Sequence, residues 1–315
     1  VGSGEPRIDY KDDSKGALLL ETQRTNLVVL SNDFSGLAGG YVTPNYGTSP
    51  QGLSVSRVLF TATNQVLSGA TSLGTGVVCN FSAYVKGIQG ELIRFAAGGA
   101  DISHTFSGEW ERLSGSKTSV NNSWNFNTYG VATARDFLTC GAQLEQGSYA
   151  TSYIPTSGSV VTRVAETCSG AGNEQVINST EGVLYAEIKG FENDNVNRYI
   201  SLCDGSSLNS IRIFYYNDGE TVFFRKVVNN VSAIVSTTTA INQSELTKIA
   251  IRYDSTSFDI FSNGVKIITN SNSDTFANNT LNTINFTDSN GTTSPFLGNT
   301  KDVRVYNTAL TDQEL

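Results

Sequence analysis

The sequence predicts an all-β chain folded as two tandem antiparallel β-sandwiches. Two observations carry this. Short runs of β-branched, aromatic and aliphatic residues recur along the 315 residues, each closed by Gly, Asn or Ser. No segment sustains the 3.6-residue period of an amphipathic helix. The length suits two domains of about 120–150 residues, each large enough for its own core.

Residues 1–27 read as an N-terminal arm, polar as far as Gly16 and then carrying the apolar run Ala17-Leu18-Leu19-Leu20. The first sandwich is expected over 28–155. Its strands include Val55–Phe60, Val77–Val85 and Leu92–Ala97. Residues 156–175 read as a linker, because Thr156-Ser157-Gly158-Ser159 and Cys168-Ser169-Gly170-Ala171-Gly172-Asn173 flank one short β-prone piece, Val160–Val164. The second sandwich is expected over 176–315. Its strands include Val183–Ile188, Tyr199–Leu202, Ile211–Tyr216, Lys248–Tyr253 and Phe258–Phe261. Asn217-Asp218-Gly219 and Asn263-Gly264 are hairpin turns, since Asn, Asp and Gly tolerate positive φ. Near the end, Thr311 and Glu314 carry the spacing of a helix capping box.

Composition excludes several function classes. The charge is −8 and the 21 basic residues form no cluster, which argues against nucleic acid. No apolar run approaches the roughly 18–20 residues a membrane helix needs, so no membrane insertion is expected. Four widely spaced cysteines (Cys79, Cys140, Cys168, Cys203) lack the close pairs of a zinc site. They read as buried free thiols, with a Cys79–Cys140 disulfide as the alternative. No signal-peptide pattern opens the sequence and it contains no Met, so it reads as a fragment or processed product lacking an N-terminal part.

Several ordered motifs carry a resemblance. Pro6-Arg7-Ile8-Asp9-Tyr10, Gly16–Glu21, Gln23-Arg24-Thr25-Asn26-Leu27 and Ser31-Asn32-Asp33-Phe34-Ser35 are similar to a segment of tailed-phage tail and fibre proteins. There, a carbohydrate-binding-module-like jelly roll follows. Asn80–Lys86, then Phe106 with Trp110 and Arg112, then Gly141–Pro155, resemble its central, paired and closing strands. The second half resembles concanavalin A-like (laminin-G-like) domains through Thr247–Asp254, Asp259–Lys266, Phe296-Leu297-Gly298 and Asp302–Asn307. The fold expectation thus becomes a jelly roll followed by a concanavalin A-like sandwich.

An enzyme needs an acid/base or nucleophile set. The single His104 has no carboxylate partner evident in sequence. The three alternating acids of sandwich glucanases are absent: Glu109 and Glu111 flank Trp110 without a third, Glu187 stands alone, and Glu192-Asn193-Asp194 reads as a loop. No enzymatic activity is expected. Sugar binding needs exposed aromatic faces with amides nearby. Trp110 matches a family core position and is assigned to packing. Trp124 lies among Asn121, Asn122, Asn125 and Asn127, and alternation puts it on one face with Phe126. It reads either as inward core or as an exposed platform, and the platform is taken as the glycan site, with Tyr129, Tyr41 and Tyr46 as neighbours. In the second half, adjacent aromatics must point to opposite faces, so one of Tyr215/Tyr216 and one of Phe223/Phe224 is outward. Calcium is common in jelly rolls, and Asp33 and Glu145, near the ends of the first and last strands, read either as its candidate ligands or as hydrogen-bonding partners of turns.

The resemblance implies a non-catalytic module of a tail fibre or spike on the virion surface. Its expected partners are host-surface polysaccharide or glycan and other virion tail proteins, and it is expected to be a homo-oligomer. The alternatives are a purely structural or decoration module and a polysaccharide depolymerase region.

Overall fold

A computed structural model describes residues 5–11, 14–37, 40–131, 134–191, 196–237 and 241–315. Glu192, Asn193 and Asp194, weighed above, lie outside these. Every regular element among the described residues is a strand. The chain divides into two compact units. One is Gln23–Val164. The other joins Val1–Thr22 to Ala165–Leu315, so the first unit interrupts the sequence of the second.

Strands β1 (Ile8–Asp9) and β2 (Ala17–Leu20) open the chain and belong to the discontinuous unit. The inserted unit contains β3 (Arg24–Asn26), β4 (Val42–Thr48), β5 (Ser54–Phe60), β6 (Val66–Ala70), β7 (Val78–Lys86) and β8 (Leu92–Ala97). It continues with β9 (Ala100–Thr105), β10 (Glu111–Thr118), β11 (Ser123–Asn127), β12 (Arg135–Gln146) and β13 (Val161–Arg163). Its main sheets run β10-β7-β12-β5-β4 and β6-β11-β8-β9, with a β13-β3 ribbon beside them. Val58, Phe60, Phe81, Val85, Phe137 and Leu144 from one sheet meet Leu67, Ile93, Phe95, Trp124 and Phe126 from the other. A bulge in β12 between Cys140 and Gln143 resets the register, so that Ala142 and Leu144 reach this core. Gly141 makes the bulge with φ 62°, where a Cβ would lie 2.8 Å from the Tyr84 ring.

The discontinuous unit resumes with β14 (Ser169–Ala171), β15 (Gly182–Gly190), β16 (Arg198–Cys203), β17 (Ser210–Tyr215), β18 (Val222–Val228) and β19 (Val231–Thr237). It ends with β20 (Thr247–Tyr253), β21 (Phe258–Ser262), β22 (Val265–Asn270), β23 (Thr283–Asn285) and β24 (Gly298–Tyr306). A seven-stranded sheet, β1-β2-β24-β15-β20-β21-β22, and a six-stranded sheet, β14-β23-β16-β17-β18-β19, enclose one core. Leu184, Ala186, Ile188, Ile249 and Ile251 face Ile200, Leu202, Ile211, Ile213 and Phe224. The Asn263-Gly264 turn forms as read, at φ 50° and 81°. A second two-residue turn, Asn229-Asn230 at φ 48° and 67°, joins β18 to β19.

The stretches read as arm and linker are each divided between the units. Leu18 and Leu20 of the arm pair with Thr300 and Gly298 of β24, and Arg7 lies 2.6 Å from both Glu21 and Glu166. Arg24–Asn26 instead pairs with Val161–Arg163 in the inserted unit, while Ser169–Ala171 pairs with β23. Small polar residues bury little, but backbone ladders need no apolar side chain. At the C-terminus the capping-box residues bond, Thr311 N–H and O–H both donating to Glu314 at 2.8 Å, yet only a turn forms. All four cysteines are free. Cys79 pairs across the β7–β12 ladder with Gln146, and Cys140 with Tyr84, five residues away along the strand. That is about 17 Å, beyond the reach of a disulfide.

Candidate functional site

The inserted unit places the expected glycan residues differently from the sequence reading. Trp124 is core, 2% exposed. Its ring stacks on Phe81 at 5.2 Å and 13°, and meets Phe34 edge-on at 5.9 Å. The alternation that puts Trp124 and Phe126 on one face was legible, but that face is the inner one, and Gly69 opposite leaves room for the indole. Trp110, assigned to packing, is half-buried outside the core cluster. The asparagines around Trp124 serve the backbone: Asn121 accepts from Ser123 N–H, and Asn127 bonds Asp101, Asn125 and the N–H of Tyr129. Tyr41 packs edge-on against Phe60 at 5.2 Å. Tyr46 is exposed beneath the Arg57 guanidinium, 5.5 Å away, and Tyr129 is exposed in the turn after β11. No ring contact among the described residues joins Tyr41, Tyr46 and Tyr129.

The calcium ligands do not fit the ion. Calcium takes six to eight oxygens. Glu145 is fully buried, with its oxygens accepting from the Thr151 N–H and hydroxyl. Asp33 is exposed, and bonds from the Ser35 hydroxyl and N–H hold its carboxyl below the usual range. No cluster of three metal-ligating side chains occurs among the described residues.

The fold supplies partners the sequence did not reveal. His104 Nε2 lies 3.3 Å from Glu111, whose carboxylate also accepts from Ser107 N–H at 2.7 Å. Glu187 faces Asp302 in register across β15 and β24. Each acid is ion-paired, Glu187 to Lys301 at 3.3 Å and Asp302 to Arg304 at 2.6 Å.

The six-stranded sheet carries the arrangement with the clearest binding chemistry. Alternation turns Ile200, Ile211, Ile213, Tyr215 and Phe224 inward and Tyr199, Ser201, Arg212, Phe214, Phe223 and Arg225 to the other face. Thus Tyr216 and Phe223 are the outward members of the two aromatic pairs. Register aligns Tyr199 with Phe214, and Phe214 with Phe223. The first two rings stack at 4.1 Å and 13°, the next two at 5.4 Å and 28°. Tyr216 closes the row edge-on, 5.7 Å from Phe214 and 5.5 Å from Phe223. The hairpin that fixes these two is tied by Asp218, which accepts from Glu220 N–H, Thr221 N–H and the Thr221 hydroxyl.

The ends of the row differ. Beside Tyr199 runs the return from β23, with Tyr199 N–H donating to Ser294 O at 3.1 Å. Burial pushes the Tyr199 hydroxyl pKa up, and Arg212 and Arg225 pull it down. At the other end Phe223 faces exposed Ser236 on β19. A small residue there leaves the far face of the Phe223 ring open. The second row, next to the aromatics, is Ser201, Arg212, Arg225 and Ile234 in register. Sequence alternation put one member of each aromatic pair outward without saying which; the structure makes them Tyr216 and Phe223. Tyr199 and Phe214 join them only through strand order. Elsewhere in this unit a cavity of about 310 Å³ is lined by amides, among them Gln175, Asn178, Asn278 and Asn279.

Residues 184–315 match the family model described as the concanavalin A-like lectin/glucanases superfamily, of laminin G type. They form a concanavalin A-like domain. Solved structures with partial likeness include the CBM40 of Ruminococcus gnavus IT-sialidase bound to α2,3-sialyllactose. It is 18% identical, covering 48% of this chain and 94% of that one at a TM-score of 0.39. Mouse laminin α1 domains LG4-5 are 9% identical over 99% and 96% of the two chains, at 0.33. The SAP-like pentraxin of Limulus polyphemus is 17% identical over 46% and 71%, at 0.38. No curated protein matches the chain.

Proposed function

We propose that this chain is a non-catalytic glycan-binding module of a phage virion appendage, a tail fibre or spike, that engages host-surface polysaccharide. The observation that carries the binding reading is the row Tyr199–Phe214–Phe223 with Tyr216, left half-buried or exposed on the outer face of a concanavalin A-like sheet. Aromatic residues are costly to leave in water, and the open face of Phe223 offers a surface on which a pyranose stacks. The superfamily to which residues 184–315 match is described as lectins and glucanases. The virion setting, the other tail proteins as partners and the homo-oligomeric state rest on the motifs over residues 6–165. One weak site per chain becomes useful through such multivalency.

The test is a glycan array and host-cell binding with Phe223→Ala. Loss of one stacking ring is expected to weaken binding about tenfold, for a contact of roughly 1 kcal/mol plus its buried area. Unchanged binding would remove the site. No release of reducing or unsaturated ends from host polysaccharide is expected, and cleavage abolished by Glu187→Gln would convert the reading to a depolymerase.

A further inference from the structure

Arg212 and Arg225 stand directly opposite each other on β17 and β18. Like charges in that position repel across the ladder. Neither has a carboxylate within ion-pair distance among the described residues. Arg212 is buried on the outer face of the sheet. Its Nε donates to Ser210 Oγ at 2.7 Å, and its Nη2 donates to Ser289 Oγ at 2.7 Å and Ser207 O at 3.5 Å. Nη1 finds no acceptor among the described residues. Arg225 is half-buried and held only through Nε, which donates to Ser232 Oγ at 2.7 Å. Both of its terminal nitrogens remain for a ligand. Asp288, the acid whose charge acts on Arg212, is already occupied by Thr292 N–H, Thr293 N–H and the Thr293 hydroxyl. Burial first, and Arg225 second, push the Arg212 guanidinium pKa down.

This is an arrangement with fixed donors, two opposed cations with no carboxylate at ion-pair distance among the described residues, and an aromatic row one step along the sheet. Nε anchoring holds each planar fork, which suits a carboxylate better than a mobile ammonium would. We infer that the outer face of the six-stranded sheet recognises an acidic saccharide, with a sugar carboxylate between Arg212 and Arg225 and the ring of that or the next residue on Phe223. The inference rests on the glycan reading above and narrows it to uronic-acid-type ligands. The net charge of −8 works against general attraction of polyanions. Any preference for acid must therefore come from this local pair.

The experiment measures binding of the full chain to polygalacturonate and to the same polymer after carboxyl reduction, with dextran sulfate and dextran as a second pair. Charge-assisted bonds predict at least about tenfold tighter binding of the acid than of its reduced form, weakening as salt rises. Arg225→Gln should erase that preference, and Arg225→Lys should erase most of it because the fork is lost while the charge stays. Unchanged melting temperature shows that both variants fold. Phe223→Ala should weaken both polymers alike. Equal binding of both forms by the unaltered chain overturns the acidic assignment and leaves the glycan reading standing. A preference that survives Arg225→Gln overturns the clamp, and tighter binding of dextran sulfate than of polygalacturonate overturns the carboxylate. Failure to bind any glycan on a broad array overturns the glycan reading itself.

Discussion

Both units bury large aromatic side chains, but the concanavalin A-like unit also stacks a row of them on the outer face of a sheet. In the inserted jelly roll they converge at the centre: Trp124 on Phe81, with Phe34, Phe126 and Phe137 edge-on or tilted around them. In the concanavalin A-like unit, Tyr215, Phe224, Tyr253 and Phe258 join aliphatic residues in the core, while Tyr199, Phe214, Tyr216 and Phe223 lie outside. The same residue types therefore supply cohesion in both units and, in one of them, a surface as well. An aromatic in a strand cannot be assigned to either role until the facing sheet is known.

Removing Trp124 tests this division most severely. Trp124→Ala should cost about 3–5 kcal/mol, the range for a large buried side chain replaced by a cavity. Urea unfolding of the jelly roll, followed by its own spectroscopic signal, measures this. A loss under 1 kcal/mol would place Trp124 outside the core and dissolve the contrast. Phe223→Ala should by comparison shift stability little, because that ring is half-buried.

Gly69 sharpens the same contrast from the opposite strand. It pairs with Trp124 in the β6–β11 ladder, and a Cβ there would lie 2.5 Å from the indole Nε1. Gly69→Ala must push the indole or the strand aside, at about 1–3 kcal/mol as for other overpacked sites. The prediction fails if the variant melts at the temperature of the unaltered chain.

How much was legible follows from which forces are local. Turns were readable because positive φ is a property of single residues: Asn263-Gly264 forms as expected, and Asp218 ties its hairpin. Alternation was readable too, and it separated Tyr216 from Tyr215 and Phe223 from Phe224. What alternation cannot give is the sign of a face. Trp124 and Phe126 were correctly grouped on one face, but the platform reading of Trp124 took that face as outward, whereas the second sheet covers it. Long-range pairing was the other hidden quantity. The partners of His104, Glu187 and Arg212 are Glu111, across from one sheet to the other, and Asp302 and Arg225, across ladders, at 7, 115 and 13 positions along the sequence. The same blindness hid the pairing of Leu18 and Leu20 with β24 across an entire inserted unit.

The smallest expected effect concerns a cation inside the aliphatic core. Lys226 faces inward from β18, between Val222, Phe224 and Val228 on the same side, and is 1% exposed. Its ammonium reaches the carbonyl oxygens of Asp254 and Asn272 at 3.4 and 3.5 Å, with the charges of Asp274 and Asp254 beyond. Burial is the larger influence and pushes its pKa below the usual lysine value. The unfolded chain therefore binds more protons than the folded one between that lowered value and about 10.4, so stability contributed at this position rises with pH across the window. Below the lowered value the folded state carries the full cost of a charge held by long, weak bonds. Replacing such a group by an apolar side chain of similar volume is neutral or stabilising in many proteins. Lys226→Met should accordingly raise stability near neutral pH by up to about 1 kcal/mol. The difference from the unaltered chain should shrink as pH climbs through the window. Denaturant titrations of both chains at neutral and at alkaline pH measure it. A variant that is less stable at neutral pH, with a deficit that does not change with pH, would show that the ammonium's bonds to Asp254 and Asn272 outweigh its burial.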